Sequence, residues 1–424
     1  MRILTLLLLS AAAHSAVVSI RADGVFVFDS KPAFPIGFTT APAPGAIAPS
    51  GGDAYSELAT HGVAFNRCGT VGKWNPQAEA TLDSIMDRAA KGGMLCAIYI
   101  PDLAVIAPGD AAKEKELRRV IQKYKPHPAT GFWKGADEPE WGKIPPDKCR
   151  RFYEIVHELD PNHPVWITQA PRGTAETLKP YNAVYDVGAI DIYPISYPPG
   201  VHTDRPNKNL SMTGDYAKLI GQITAADKKP FWMVLQICFS GVAKPGATLR
   251  FPTFAEQRYM SYQSIIAGAR GLLYFGGNVP ACWNEQDQAL GWNWSFYGKV
   301  LKPVLDEFSP TSPLHPALIA PDSPMPVRVE GADDVEFRVR ESGNYVFLLA
   351  AKREGATAKV TFRGLPSDVS TGDLLYESPR KVTAANGSFT DWFGPNEVHA
   401  YRFARSASSG VTGSKKDQQR IPPQ

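Results

Sequence analysis

The sequence predicts an α/β protein, a (β/α)8 barrel followed by a small C-terminal antiparallel β-sandwich. Short apolar runs alternate with longer amphipathic segments between residues 33 and 277, and after residue 326 the pattern changes to short alternating strands. Eight repeats favour a closed barrel over an open doubly wound sheet, and the chain lacks the Gly-x-Gly-x-x-Gly motif of open-sheet dinucleotide-binding folds. The eight predicted strands are 33–39, 63–68, 94–100, 131–136, 164–168, 187–193, 231–237 and 271–275.

Two features near the barrel strands support this prediction. Residues 17–28 predict a β-hairpin, turned at Asp23-Gly24, that leads into the barrel. Apolar residues at helical spacing predict helices over 77–91 and 113–124, between successive strands. The hairpin is therefore expected to be an entry structure of the barrel and not a domain of its own.

A domain boundary is predicted at 309–326, a segment rich in proline and serine that interrupts the βα repeat. It gives a barrel domain at 17–312 and a β-sandwich domain at 313–403. Residues 404–424 contain almost no apolar side chains and predict a disordered tail. The predicted strands of the sandwich are 327–329, 335–340, 345–350, 358–362 and 397–403.

The N-terminal segment has the features of a secretory signal peptide. Arg2 supplies a positive charge, residues 3–13 form a short apolar run, and the small residues Ser15 and Ala16 suit cleavage. The run is shorter than the roughly 20 residues that a membrane-spanning helix needs. We therefore expect residues 1–16 to be removed and the mature protein to be secreted or periplasmic, without a membrane partner.

Composition and charge argue against several kinds of partner. The formal net charge is only +3, and the basic residues are scattered, which argues against nucleic acid. The histidines have no ligand-like spacing and the five cysteines form no metal motif, so the sequence predicts neither a metal nor another cofactor. Because five is an odd number, at least one cysteine is expected to stay unpaired.

The strongest site signal lies at the end of the predicted fourth strand, where the chain reads Asp137-Glu138-Pro139. Barrel enzymes place catalytic groups at the C-terminal ends of their strands. A carboxyl group flanked by aromatic side chains and fixed by a following proline is partly desolvated, which raises its pKa and keeps it protonated as a general acid requires. The alternative, an acid favoured by a helix N-terminus, suits Glu140 better. Glu138 is therefore the predicted catalytic acid.

This segment resembles the fourth-strand motif of clan A glycoside hydrolases, especially bacterial members in which Asp-Glu-Pro replaces the commoner Asn-Glu pair. Looser likenesses occur at 26–37, near the first strand, at 189–194, the end of the sixth, and at 392–403, the last strand of the accessory β-domain. The resemblance implies a carbohydrate substrate, Glu138 as acid/base and Asp137 as a neighbour that holds the site or a sugar hydroxyl. It also implies a nucleophilic glutamate at the end of the seventh strand.

The seventh strand departs from that pattern, because Gln236 stands where the nucleophilic glutamate is expected. An amide cannot form the glycosyl ester of a retaining mechanism. Three alternatives remain open. In the first, Asp191 or Glu285 is the base of an inverting reaction, at roughly 6.5–9.5 Å from Glu138. In the second, the substrate supplies its own nucleophile, for example an N-acetyl group polarised by Asp191 and Tyr193. In the third, the chain binds sugar without cleaving it.

Sugar sites combine flat apolar surfaces with hydrogen-bonding groups, and the predicted strand ends supply both. In the loop after the eighth strand we expect Trp283 and Trp292 to be exposed. Glu256 is excluded from the site, since Thr253-x-x-Glu256 has the spacing of a helix capping box. The predicted substrate-binding residues are Asn66, Arg67, Asp137, Trp141, Gln169, Tyr193, Gln236, Trp283 and Trp292.

Three classes of function compete for this sequence. The leading interpretation is an exported enzyme that hydrolyses a glycosidic bond, and fold alone would not justify it because barrels host many chemistries. The rival is a noncatalytic carbohydrate-binding barrel, which Gln236 keeps open. A lyase or aldolase would need a lysine or a metal at the cleft, and Lys134, within the fourth strand, is the only nearby lysine.

Overall fold

The computed structural model describes residues 15–40, 42–69, 72–238, 246, 248–276 and 284–406. Most of the predicted signal peptide, the chain beyond residue 406 and Trp283 lie outside the described residues, so the predictions made for them are not addressed. Within the described ranges, no helix combines the length and the apolar character needed to span a membrane.

The described chain opens with a three-stranded antiparallel sheet of β1 (Val18–Ile20), β2 (Phe26–Phe28) and β3 (Lys31–Ala33). Its first two strands form the predicted hairpin, and β3 extends it. Gly24, at φ +80°, allows the turn between them. Phe26 packs against Trp232 in the cluster that fills the barrel interior, so this sheet closes one end of the barrel.

Eight parallel strands close into the barrel, and all eight predicted apolar runs supply them, which confirms the predicted fold class. A separate antiparallel ribbon is formed by β10 (Ser196–Tyr197) and β12 (Thr248–Leu249). The barrel strands are β4 (Ile36–Phe38), β5 (Phe65–Gly69), β6 (Leu95–Tyr99), β7 (Thr130–Asp137), β8 (Val165–Gln169), β9 (Val187–Ile192), β11 (Phe231–Gln236) and β13 (Leu272–Phe275).

Helices connect successive strands, and a 3-10 helix (Lys179–Val184) and a π-helix (Tyr297–Leu301) accompany them. The α-helices are α1 (Ala54–Thr60), α2 (Pro76–Lys91), α3 (Ala111–Tyr124), α4 (Pro146–Leu159), α5 (Ala175–Leu178), α6 (Met212–Ala225), α7 (Phe254–Ala267), α8 (Glu285–Leu290), α9 (Trp294–Phe296), α10 (Lys302–Phe308) and α11 (His315–Leu318). The predicted helices correspond to α2 and α3. The predicted capping box is present at the start of α7, where the Thr253 and Glu256 side chains accept hydrogen bonds from each other's backbone N–H.

Strand alternation divides the barrel side chains between two layers. Met233 and Leu235 of β11 belong to the large outer core that includes the helices. Trp232 and Val234 of the same strand belong to the inner cluster. Further along neighbouring strands, the inward-facing positions carry polar side chains. These are Arg67 two residues after Phe65, Lys134 two after Phe132, Thr168 two after Trp166 and Asp191 two after Ala189.

The C-terminal domain consists of a three-stranded and a five-stranded antiparallel sheet. The shared core between them contains Val346 and Leu348, while Phe347 and Leu349 on the other face of the same strand join the core of the barrel. The two sheets have the orders β14-β17-β20 and β15-β16-β21-β18-β19, with strands β14 (Arg328–Glu330), β15 (Val335–Ser342), β16 (Tyr345–Lys352), β17 (Ala358–Arg363), β18 (Val369–Leu374), β19 (Lys381–Thr383), β20 (Ser388–Phe393) and β21 (Val398–Arg405).

Three of these strands, β18, β19 and β20, are additional to the five predicted ones. In their sequences, the regular alternation of apolar and polar residues that identifies a strand is interrupted. In β20, for example, the buried position between Phe389 and Phe393 is Asp391, whose carboxylate is held by Arg380 and Tyr401. The last strand ends at Arg405, two residues beyond the predicted end of the sandwich.

Cys68 of β5 and Cys96 of β6 form a disulfide bond between neighbouring barrel strands. Cys149 is buried on α4, in a cluster of apolar residues. The disulfide therefore joins two neighbouring strands of the barrel wall.

Candidate active site

A pocket of about 220 Å³ opens at the C-terminal ends of the barrel strands. Three larger hollows, of about 470, 330 and 320 Å³, lie beside the 3-10 helix, around Gly24 and between α5 and α6, and none of them lies at the C-terminal ends of the barrel strands. The pocket is lined by residues from seven strands or the segments that directly follow them, and by one loop residue. They are Thr39, Arg67, Asp137, Glu138, Thr168, Asp191, Tyr193, His202, Val234 and Phe275.

The backbone of Glu138 is strained. Its φ of +46° lies in the left-handed region, which is unfavourable for a residue with a β-carbon and especially for one that precedes proline. Two hydrogen bonds hold it there: the Glu138 N–H donates to the Thr168 carbonyl at 2.7 Å, and the Gly142 N–H donates to the Glu138 carbonyl at 2.9 Å. Such strain costs about 1–3 kcal/mol and occurs mainly at functional sites. It places the side chain in the pocket.

Glu138 and Asp191 form a carboxyl pair, with their side chains within hydrogen-bonding reach of each other. Burial, and then the charge of Asp137, raise the pKa of Glu138. Burial, and then the charge of Glu138, raise the pKa of Asp191 well above its usual range. Two adjacent carboxyl groups in a buried place cannot both ionise easily, so the pair retains a proton at pH values where ordinary carboxyl groups have lost theirs.

Asp137 has the opposite electrostatic environment. Burial opposes its ionisation, but the Lys134 ammonium and the Arg67 guanidinium outweigh that effect and hold the pKa of Asp137 below its ordinary value. Lys134 Nζ lies 2.9 Å from Asp137 Oδ1, and Arg67 Nη1 lies 3.7 Å from Asp137 Oδ2. Asp137 is therefore an anion paired with two cations, whereas the neighbouring Glu138 carboxyl group tends to stay protonated.

Lys134 is buried inside the barrel directly below this site. It is 0% exposed, and its ammonium group lies 4.7 Å from the ring centre of Trp166 and 5.3 Å from that of Tyr99. Burial lowers the pKa of Lys134, and the Asp137 carboxylate opposes that shift. The ammonium also donates to the Ala136 carbonyl at 2.9 Å. It contacts Asp137 and is not itself a pocket-lining residue, which disfavours a Schiff-base role.

Aromatic rings form one wall of the pocket. Tyr193 stacks between Phe275, at 5.1 Å, and His202, at 4.1 Å. The Tyr193 backbone N–H donates to His202 Nδ1 at 3.1 Å, so this nitrogen is an acceptor and Nε2 carries the proton in the neutral ring. His202 Nε2 lies 3.8 Å from Asp191 Oδ2. The ring stack thus faces the carboxyl pair.

Gln236 does not line the pocket, although it stands where a nucleophilic glutamate was expected. Its Oε1 accepts from the Ile195 N–H at 2.9 Å, and its Nε2 donates to the carbonyls of Ile195 at 2.9 Å and Arg250 at 2.8 Å. These bonds tie the end of β11 to the chain on both sides of the β10–β12 ribbon. The amide therefore has a structural role here, and its predicted contact with substrate stays a prediction.

Several other predicted residues also lie away from the pocket. Asn66 is fully buried with its amide directed at Met94 Sδ, and Gln169 accepts a hydrogen bond from the Glu140 N–H. Each directly follows a residue whose side chain faces the barrel interior, Phe65 or Thr168. Since side chains alternate along a strand, Asn66 and Gln169 project away from the interior. Trp141 is 59% exposed but is not a lining residue.

The structure also places Trp292 and Glu285 outside the pocket lining. Trp292 is wrong as an exposed platform, since it is 1% exposed and packs edge-on against Phe38 and Trp294. Glu285 is exposed at the start of α8, where the Asn284 side chain caps the helix, and it does not line the pocket. A helix N-terminus favours an acidic residue for its dipole alone. Trp283 lies outside the described residues.

The structure thus brings together Arg67, Asp137, Glu138, Asp191 and Tyr193 from the predicted set. It adds Thr39, Thr168, His202, Val234 and Phe275, which the sequence analysis missed. Four of these follow from strand alternation once the inner face of each strand is known. His202 has no such signal, because it lies in an irregular loop nine residues after Tyr193 and only the fold brings the two rings together.

The spacing of the carboxyl groups limits the chemistry. An inverting pair needs roughly 6.5–9.5 Å between its carboxyl groups to hold a water, and a retaining pair about 5–5.5 Å. The Glu138 and Asp191 carboxyl groups lie within hydrogen-bonding reach of each other, which is closer than either of these spacings. This conformation therefore disfavours Asp191 as an inverting base, and it is suited to sharing and moving one proton.

Comparison with known proteins finds the same architecture in glycoside hydrolases. One solved glycoside hydrolase matches with a TM-score of 0.62 at 14% identity over 92% of this chain and 97% of that one. A family 5 glycoside hydrolase from Bacteroides vulgatus matches with a TM-score of 0.61 at 13% identity, over 94% of both chains. A family 30 xylanase from Clostridium acetobutylicum matches with a TM-score of 0.52 at 11% identity, over 93% of this chain and 98% of that one.

No protein-family model and no curated protein sequence matches the chain. At identities of 11–14%, the structural matches show the fold alone. They confirm, at that level, the predicted likeness to glycoside hydrolases that combine a (β/α)8 barrel with an accessory β-domain.

Proposed function

We propose that this protein is an exported glycoside hydrolase and that Glu138 donates the proton to the departing sugar oxygen. The observation that carries the proposal is the Glu138–Asp191 pair in a pocket at the strand ends, where burial and mutual repulsion raise the pKa of both carboxyl groups and so favour a protonated acid. The strained backbone of Glu138 supports the same assignment, because strain of this kind is retained where it serves a function.

The other polar groups of the pocket suit sugar binding. Asp137 and Arg67 offer an acceptor and donors to sugar hydroxyls, and Tyr193 and Phe275 offer apolar ring faces to the C–H side of a pyranose. Lys134 acts below them by keeping Asp137 ionised. The fold relationship to glycoside hydrolases is compatible with a carbohydrate ligand.

Export is supported by two separate observations. Residues 1–16 have the pattern of a cleaved signal peptide. The Cys68–Cys96 disulfide is of a kind that persists in the periplasm or outside the cell and is rare in the cytosol. Expression of the full chain with antibody detection in cytoplasmic, periplasmic and medium fractions tests this part. Accumulation of unprocessed protein in the cytoplasm would contradict it.

A noncatalytic carbohydrate-binding barrel is the second candidate. It is favoured by Gln236, whose amide is fully used in backbone hydrogen bonds and leaves no carboxylate at the end of β11. Such a protein would bind sugar in the same pocket but would not need a protonated Glu138.

A screen of aryl glycosides and polysaccharides separates the two candidates. We expect turnover by the wild-type protein and a loss of about 100-fold or more in kcat for Glu138→Gln, because general acid catalysis contributes about 10²–10⁴. The matched control is Glu158→Gln on the exposed side of α4, whose partner is Arg118. Saturable sugar binding with no turnover by the wild-type protein would favour the binding module instead.

A further inference from the structure

The carboxyl groups of the described pocket residues are all engaged with one another or with basic side chains, which bears on the source of the nucleophile. Among the described residues that line it, the carboxyl groups belong to Asp137, Glu138 and Asp191. Asp137 is engaged by Lys134 and Arg67, and Asp191 is in contact with Glu138 itself. If Glu138 is the acid, the nucleophile for a first displacement must come from elsewhere.

We infer that the substrate supplies it: the pocket takes a 2-acetamido-2-deoxy sugar whose acetamido oxygen attacks C1, with Asp191 and Tyr193 holding the acetamido group. This inference rests on the proposed hydrolase function and names its substrate class.

Three features of the pocket match an acetamido group. Asp191 Oδ1 is buried and accepts no hydrogen bond within the part of the chain that the structure describes, so it can accept one from the acetamido N–H. The Tyr193 hydroxyl is hydrogen-bonded to Asp191 in the empty pocket, and it can donate to the acetamido oxygen once the acetamido N–H takes its place at that carboxylate. Val234 is directly paired with Asp191 across the β9–β11 ladder and lines the pocket, which gives the acetamido methyl group an apolar neighbour.

The surrounding residues fix the two acetamido-binding side chains in place. The stack of Phe275, Tyr193 and His202 restricts the tyrosine ring, and His202 Nε2 lies 3.8 Å from Asp191 Oδ2. At about 220 Å³, the pocket is smaller than the roughly 300–1,000 Å³ of sites for drug-sized ligands, and this suits a single sugar unit with one substituent.

The reaction balances without a further reagent. The acetamido oxygen forms a bond to C1 while the bond from C1 to the leaving oxygen breaks, and Glu138 transfers its proton to that oxygen. The product is a bicyclic oxazolinium, whose N–H and positive charge face the Asp191 carboxylate. Water then attacks C1 and gives a proton to Glu138. The bond between C1 and the acetamido oxygen of the oxazolinium ring breaks, and the acetamido group is restored.

The contact between Glu138 and Asp191 gives substrate binding a second effect. In the empty pocket the proximity of the two carboxyl groups raises the pKa of each and favours a single proton shared between them. An acetamido N–H that donates to Asp191 stabilises its carboxylate form, and the shared proton then resides on Glu138, where the leaving group needs it. The substrate class that supplies the nucleophile is thus also the one that sets the protonation state of the acid.

The first experiment measures how fast the wild-type protein cleaves three kinds of 4-nitrophenyl β-glycoside. These are the 2-acetamido sugar, its trifluoroacetamido analogue and the 2-hydroxy sugar, each in the gluco and the galacto series. Fluorine makes the carbonyl oxygen a poorer nucleophile and leaves the leaving group unchanged. We expect kcat/KM to fall by at least about tenfold from the acetamido to the trifluoroacetamido compound, the effect of a barrier raised by roughly 1.4 kcal/mol, and no cleavage of the 2-hydroxy sugar.

The second experiment measures binding by calorimetry and does not depend on turnover. The thiazoline derived from the 2-acetamido sugar mimics the bicyclic intermediate. We expect the wild-type protein to bind it more tightly than the parent sugar, and Asp191→Asn to weaken this binding by about 100-fold. Glu158→Gln is the matched control, and thermal unfolding of each variant checks that it is folded.

The outcomes separate this inference from the proposed function. Equal cleavage of the acetamido and trifluoroacetamido compounds, cleavage of 2-hydroxy sugars at a comparable rate, or thiazoline binding no tighter than that of the parent sugar overturns the 2-acetamido inference and leaves a glycoside hydrolase standing. Absence of turnover on every glycoside, whether or not sugars bind, refutes the hydrolase itself.

Discussion

At the scale of single residues, two adjacent carboxyl groups in this pocket have opposite protonation preferences because their neighbours differ. Asp137 has a buried ammonium at 2.9 Å and a guanidinium at 3.7 Å. Glu138 has the carboxyl group of Asp191 beside it. The chain accepts a left-handed backbone at Glu138 to present the two side chains in this way. The arrangement lowers the stability of the fold at neutral pH in favour of chemistry.

That cost leads to a prediction for Glu138→Gln, which removes one member of the carboxyl pair. The pKa of Glu138 is raised in the folded protein, so the wild-type protein has its full stability below the unfolded-state pKa of about 4 and loses part of it as pH rises through the folded-state value. We expect the variant to be more stable than the wild-type protein by about 1 kcal/mol at about pH 7, with little difference at about pH 4.

Urea unfolding of both proteins at the two pH values measures this effect. Asp147→Asn, an exposed acid at the start of α4, is the control and should show no stabilisation that grows with pH. A variant that is less stable than the wild-type protein at neutral pH would show that the proton-sharing pair does not strain the fold.

At the scale of elements, the hydrogen bonds at the C-terminal end of β11 explain why a glutamine ends this strand. The Gln236 side chain hydrogen-bonds two backbone segments next to the strand end. These are Ile195, just before the ribbon strand β10, and Arg250, just after β12. Arg250 in turn pairs with Glu256, the capping-box residue of α7. An amide can both donate and accept, and this position needs two donors and one acceptor. A carboxylate would satisfy only the acceptor.

We therefore expect Gln236→Glu to be destabilising and not to create a retaining enzyme. The new oxygen would face the carbonyls of Ile195 and Arg250, and leaving such buried acceptors unpaired costs about 1–3 kcal/mol. Denaturant unfolding at neutral pH gives the loss, with Gln122→Glu on the exposed face of α3 as the control, expected within about 0.5 kcal/mol of wild type. A gain in glycosidase activity without loss of stability would contradict the structural role.

At the scale of the whole molecule, the barrel and the C-terminal domain share a core and a cluster of charges. Phe347 and Leu349 of β16 extend the apolar core of the barrel. Nearby, Asp322 neutralises Arg270 from the barrel and Arg338 and Arg340 from β15. Burial, and then the charge of Arg270, lower the pKa of Arg340, and Asp322 is the carboxylate that lies within ion-pair distance of all three guanidinium groups.

Asp322→Ala is expected to weaken the contact between the two domains. The carboxylate is 46% exposed, so we expect a loss of about 2 kcal/mol, less than the 3–5 kcal/mol for a fully buried pair. Calorimetry should show a lower unfolding temperature, and Asp333→Ala in the exposed turn before β15 is the control. Unchanged unfolding of Asp322→Ala would show that the apolar interface alone joins the domains.

The sequence by itself determined the order of elements, because apolar periodicity is a local property of the chain. All eight barrel strands, the capping box of α7 and the carboxyl group at the end of the fourth strand could be read in this way. The prediction was weaker where a strand carries a buried polar residue, as β20 does with Asp391.

Only the tertiary structure decided which side chains meet in the pocket. Asn66 and Arg67 are neighbours in sequence, yet strand alternation sends only Arg67 into the pocket. Gln236 stands at a strand end but binds backbone, and Trp292 enters the core. His202 reaches Asp191 from a loop. Side-chain direction and loop path depend on contacts between residues far apart in sequence, and no local pattern encodes them.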